Sequence, residues 1–208
     1  MAITKISKRS RNTANKQEVK QLVKQLISRP VEVKYFDQYQ ISTSVPATGT
    51  LTNISDITRG DEVTQRIGNQ VLLKEIQFRV GMYLNANATQ TALRIIVLQD
   101  TFGTNAPAVS DVLETAFLGS YYSEVAPYYW DYRKRFRILK DEVTYLCKQS
   151  GKSGVAKQFT IKLGFNSQHI GASTTFKNQV YLLLVSNESN ALNLPVINIH
   201  SRLLYTDE

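Results

Sequence analysis

Disulfides are excluded at once. Cys147 is the single cysteine in 208 residues, so nothing covalent staples the chain, and it either lives in a reducing compartment or is indifferent to redox state. Long apolar runs are missing too: the longest, Val180 to Val185, has the length of a strand and falls far short of the ~20 residues of a membrane helix, so no membrane insertion is expected. The first residues lack the apolar centre of a secretory signal, and the leader reads as functional rather than as an address. Histidine is scarce. His169 and His200 have no Cys, Asp or Glu at zinc-like spacing around them, which points to structural or surface roles. Ser150-Gly151-Lys152-Ser153 has the tail of a phosphate-binding loop, but Leu146 stands where that loop needs its first glycine. No Gly-x-Ser-x-Gly elbow occurs, and Cys147 has no nearby histidine in sequence. Arg59-Gly60-Asp61 and the Asn-x-Ser/Thr sites at Asn53, Asn87 and Asn187 are short enough to recur by chance. An enzyme is not expected.

Acid is what the first 24 residues lack. Glu18 alone faces Lys5, Lys8, Arg9, Arg11, Lys16, Lys20 and Lys24, a net +6 out of the whole chain's +8. Residues 2–14 also carry almost no large apolar side chains, so they cannot offset the entropy of ordering without a partner. From Asn15 the pattern changes. Val19, Leu22, Val23, Leu26 and Ile27 recur at helical spacing, Asn15 and Glu18 resemble a capping box, and Arg29-Pro30 ends the segment, which predicts an amphipathic helix over about 15–27. Such a helix is marginal alone, so its apolar stripe needs a partner surface. Its lysines would face a polyanion, with Arg9 and Arg11 able to grip phosphate oxygens bidentately. A basic arm, residues 1–29, therefore precedes one folded domain, residues 30–208.

That domain reads as β-structure. Val31 to Thr43 is strand-like, and a short strand is placed at Thr50 to Ile54. The clearest alternation runs from Leu72 to Leu84, with apolar residues on even positions and Lys74 out of phase. Ala92–Leu98, Phe136–Leu146, Phe159–Phe165, Val180–Val185 and Val196–Leu204 supply further strands, and Ser110–Phe117 is read as a short helix with Ser110 as N-cap. Seven or eight strands joined by long polar connections, without alternating helices, favour an antiparallel β-sandwich or jelly roll.

The segment Tyr121–Lys140 interleaves aromatics with Arg133, Lys134, Arg135 and Arg137. Two readings fit. One is a stacking and cationic surface for single strands. The other, favoured here, is a protein interface anchored by Tyr128, Tyr129 and Trp130, with the basic residues 133–135 reaching the nucleic-acid side.

Several stretches resemble the single jelly-roll coat proteins of the satellite tobacco necrosis virus type, which are similar to the capsid proteins of small circular single-stranded DNA viruses. They are residues 60–71 (GDEVTQRIGNQV), 94–100 (RIIVLQD), 107–113, 134–141 (KRFRILKD) and the ending Tyr205-Thr206-Asp207, in family order. The departures in 121–132 and 166–200 point toward the DNA-virus branch. The resemblance implies an eight-stranded antiparallel jelly roll and an icosahedral shell of sixty identical subunits. The arms would lie inside it on viral single-stranded DNA or RNA, and their helices would pack on one another through Val19, Leu22, Val23, Leu26 and Ile27. It places the protein in the virion, with assembly in the host nucleus or cytoplasm. No cofactor is required, but an optional structural calcium is implied, held by the carbonyls of Ile67 and Gln70, by Asp207 and by a neighbouring subunit's Glu32. The rival reading is a non-viral β-sandwich module that binds nucleic acid or carbohydrate and carries a basic tail.

Overall fold

The computed structural model describes residues 19–20, 32–103, 105–169 and 176–207. The chain divides into two compact units, residues 1–32 and 33–208. In the first unit Val19 and Lys20 are helical. The remainder of the expected 15–27 helix, including Leu22, Val23, Leu26 and Ile27, lies outside the described residues, as do Lys5, Lys8, Arg9, Arg11, Lys16 and Lys24.

Among the described residues, the second unit holds eight strands of four or more residues and one of two: β1 Lys34–Ser44, β2 Thr50–Asn53, β3 Gln70–Tyr83, β4 Gln90–Asp100, β5 Phe136–Cys147, β6 Gly154–His169, β7 Phe176–Lys177, β8 Gln179–Ser186 and β9 Val196–Asp207. All the pairings between these strands are antiparallel. β4 pairs with β5, β3 with β6, β2 with β8 and β1 with β9, as if the chain were folded back on itself at the β4–β5 connection. The doubled ribbon then rolls up: β9 also pairs with β3, and β8 with β4. The result is two sheets, β1-β9-β3-β6-β7 and β2-β8-β4-β5, which is the jelly roll.

The principal core lies between the sheets and includes Ile76, Phe78, Val80 and Met82 from β3 against Leu93, Ile95 and Val97 from β4. β3 explains the odd phase of Lys74. The register shifts between Leu73 and Glu75 on both sides of the strand, so Lys74 sits in a β-bulge. One extra residue reverses the parity of everything beyond it. Val71 and Leu73 therefore point inward before the bulge and Ile76 to Met82 after it, while Leu72, expected inward, is half-exposed.

β4 and β8 are buried on both faces, which is why their sequences are continuous apolar runs rather than alternating ones. Ile96, Leu98, Leu183 and Val185 form a second core with Val112, Leu113 and Ala126 from the long β4–β5 connection, which folds over the back of the four-stranded sheet. The helix expected over Ser110–Phe117 is a single turn, Val109–Val112, whose N-cap position is held by Ala108 instead of Ser110. Leu113 leaves the helix because its extended backbone bridges to Tyr128, and Glu114 N–H donates to Pro127 O. Pairing within the connection overrides local helix propensity there.

Candidate functional site

The connection from Asp100 to Phe136 is organised by two arginines. Arg94 projects from β4 on the same side as Ile96 and Leu98, a lone cation within the apolar stretch Ala92 to Leu98 of that strand. A buried guanidinium must be paired and hydrogen-bonded. Its Nε and one terminal nitrogen grip Asp141 at 2.8 and 2.7 Å, while the other donates to Ala126 O at 2.6 Å and Glu124 O at 3.3 Å. Tyr128 Oη donates to the same Asp141 carboxylate at 2.5 Å. Burial raises the Asp141 pKa, but the hydrogen bonds from Arg94 and Tyr128 outweigh it and leave the carboxyl below its usual value. This cluster pegs the aromatic segment to the sheet. The signal in the sequence was Arg94 itself, a lone charge in the apolar run from Ala92 to Leu98.

Arg135 is the second organiser, and its position corrects the expectation that residues 133–135 face nucleic acid as a group. Its side chain is 9% exposed and that of Asp100 is 1% exposed, and the two are joined by bonds of 3.1 and 2.7 Å. Arg135 also donates to Asn105 O, and Asp111 stands 3.9 Å away. Its donors are spent on closing the loop. Arg133 and Lys134 remain exposed, but the Arg133 guanidinium lies 4.0 Å from the centre of the Trp130 ring and donates to Trp130 O. That contact stiffens the aromatic surface.

The expected interface residues are presented unevenly. Trp130 is 67% exposed, and Tyr121, Tyr122 and Phe117 surround the same connection as further exposed aromatics. Tyr129 is half-buried and packs against Tyr132 at 5.5 Å. Tyr128 divides its role, with its hydroxyl committed to Asp141 and its ring 5.3 Å from Arg94. An aromatic patch of this size on a rigid support has the composition of an interface core.

The four residues of the implied calcium site divide between the two units. Asp207 pairs with Val71 across β9 and β3, which sets its carboxylate beside residues 67–70, and its Oδ1 accepts the Ile67 N–H at 3.4 Å. Asp207 thus lies at the ends of the interior strands β9 and β3, beside two of the other implied positions, and carboxylate and carbonyl oxygens are the hard donors a divalent cation takes. Lys34 already neutralises Asp207 from 2.8 Å and donates to Gln65 O at 3.1 Å, so a bound cation would share the carboxylate. Beneath them Arg66 donates to Ile57 O and Gly68 O and fixes the loop. Glu32 is exposed and belongs to the first unit.

Against known proteins, residues 6–208 match the model of the satellite tobacco necrosis virus coat protein family. The chain belongs to that family. The coat protein of Maize white line mosaic satellite virus is 26% identical over 211 residues, covering 98% of this chain and 94% of that one. Among solved structures, that of Desmodium yellow mottle tymovirus covers 86% of this chain and 90% of its own at 13% identity and a TM-score of 0.42. An empty head of turnip yellow mosaic virus covers 86% and 83% at 7% identity and 0.40. Membership in the satellite tobacco necrosis virus coat protein family rests on sequence and spans the stretches 121–132 and 166–200. Their departures are therefore variation within the satellite type and do not point to the DNA-virus branch.

Proposed function

We propose that this viral coat protein closes into an icosahedral shell of sixty identical copies and packages single-stranded nucleic acid through its basic arm. The observation that carries the reading is the family match over residues 6–208 in a chain whose first 24 residues hold a net +6. The jelly roll supplies rigid walls, and the exposed aromatics around Trp130 supply an apolar surface between copies. The arm supplies counter-charge to phosphate without reading sequence. Sixty arms of seven cations neutralise on the order of 400 phosphates, so a longer cargo needs further cations inside the shell.

Electron microscopy of the purified protein tests the shell: uniform small particles are expected, and a stable monomer at every salt, pH and calcium concentration tried would refute it. Deleting residues 1–24 tests the arm. The expected outcome is loss of copurifying nucleic acid with an unchanged melting profile of the folded unit, and binding by the parent should fall with salt at a log–log slope of about 5 at most. Retention of the same nucleic acid after deletion refutes the electrostatic assignment. For the metal, the reading is that Ile67, Gln70 and Asp207 of one copy and Glu32 of the next clamp a calcium ion between subunits. A chelator should then lower particle melting temperature, added calcium should restore it, and Asp207→Asn should abolish the difference.

A further inference from the structure

The face of the five-stranded sheet turned away from the core carries an open trough of about 590 Å³, used by none of the roles described above. Its floor is built from the adjacent strands β9, β3 and β6. Gly81 and Gly154 have no side chains, and a Cβ on either would meet the Tyr83 side chain at 2.9 and 3.2 Å. The two glycines thus let Tyr83 lie down across the sheet, where its ring is still 48% exposed. An aromatic held flat on a β-surface with an open face is a platform for another flat group. On the β1 side Tyr39, 63% exposed, is stacked on His200 with centroids 4.7 Å apart and planes within 10°.

The polar lining is of one kind. The side chains of Arg79 and His200 line the trough with the amides of Gln158 and Asn198, and no carboxylate does, while Lys157 borders it but turns its ammonium to Glu142 and Thr144 on β5. Neighbouring cations on this face are already committed: Arg202 to Asp37, and Lys162 to Glu75. Arg79, exposed between the aromatics, has neither an ion pair nor a hydrogen bond among the described residues. The trough therefore offers two aromatic faces, one uncommitted guanidinium and unspecific amide partners, without acid to repel phosphate.

We propose that this trough is a second nucleic-acid contact, taking one or two nucleotides of a single strand. A base stacks on Tyr83, its neighbour on Tyr39, and Arg79 holds the intervening phosphate. Paired bases cannot enter without unstacking, so the site selects single strands. The proposal rests on the packaging function, but it concerns the folded unit and a different physical force. Arm binding is ionic and fades with salt, whereas stacking does not.

The test uses the full-length protein, fluorescently labelled oligo(U) and oligo(dT) of eight residues, and a duplex control, at low salt and at about 0.5 M salt, where ionic contacts are largely screened. Single-strand binding should persist at high salt. Tyr83→Ala should weaken it about tenfold with unchanged melting temperature, Tyr83→Phe should retain it, and Arg79→Ala should weaken binding chiefly at low salt. Low-salt binding by the parent with no effect of these substitutions at either salt overturns the trough and leaves packaging intact. Absence of binding at any salt overturns both. Should Tyr83→Ala and Arg79→Ala block particle assembly while oligonucleotide binding is unchanged, the face is a subunit contact and the proposal fails.

Discussion

Replacing Arg135 by alanine separates structural from cargo-binding basic residues. Asp100 and Arg135 are side chains 1% and 9% exposed, so solvent screens their attraction little. Removing the guanidinium leaves Asp100 with the N–H groups of Phe102 and Gly103 and no countercharge. It also releases Asn105 O, so the β4–β5 connection is closed at its ends only by the bonds from Thr101 to Arg135 O. Breaking a buried pair from one side costs about 3–5 kcal/mol, and for a domain of this size that lowers Tm by roughly 6–20 °C. Arg135→Lys should fall between, since an ammonium keeps the charge but not the two-pronged geometry. Arg133→Ala and Lys134→Ala, at exposed positions, should stay within ~0.5 kcal/mol of the parent. The assay is thermal and urea unfolding at fixed protein and salt concentration, because assembly adds stability by mass action. An Arg135→Ala protein within ~1 kcal/mol of the parent that has lost nucleic acid would refute the structural role.

Trp130→Ala should leave the monomer's stability within ~0.5 kcal/mol but weaken subunit association by about 2 kcal/mol or more, read as a rise in the concentration needed for particles. Burial, with Arg66 nearby, lowers the His169 pKa to about 4. The unfolded chain then binds the extra proton first, so stability is full above about pH 6.5 and declines toward pH 4; His169→Gln should flatten that part of a Tm–pH profile. Asp37 and Asp141 are also held below the usual carboxylate range, by Arg202 and by Arg94 with Tyr128 respectively. Their contribution is present above about pH 4 and is lost as pH falls through their lowered values, so Asp141→Asn should blunt the drop below pH 4.

Most of the strands were legible because strand periodicity and turn residues are local signals. The β3 alternation identified its strand, and its one phase error, Lys74, marked the bulge. β4 and β8 were legible for the opposite reason, since continuous apolar runs announce burial on both faces. What local patterns cannot carry is pairing between distant residues. Arg135 looked like its neighbours Arg133 and Lys134 because nothing near it in sequence shows Asp100 waiting across the loop. The Tyr83 platform was hidden similarly: it needs Gly154, which reads in isolation as a turn residue. The helix at 110–117 was misread because its residues suit a helix, while the bridge to Tyr128 that ends it is tertiary.

In the proposed shell, the β4–β5 connection joins folding to assembly. Its inner side completes the second core with Leu113 and Ala126 against Ile96 and Leu98, and its outer side presents Trp130 and Tyr122. Arg94 ties the two sides, bonding Ala126 O on the connection while gripping Asp141 on β5. A surface held this way loses little side-chain and loop entropy when a neighbouring copy covers it, which leaves more of the apolar contact as association free energy. The same arrangement makes the surface dependent on what lies beneath it. Substitutions at Leu113 or Arg94, which no neighbouring copy need touch, should therefore disturb particle formation before they unfold the sandwich.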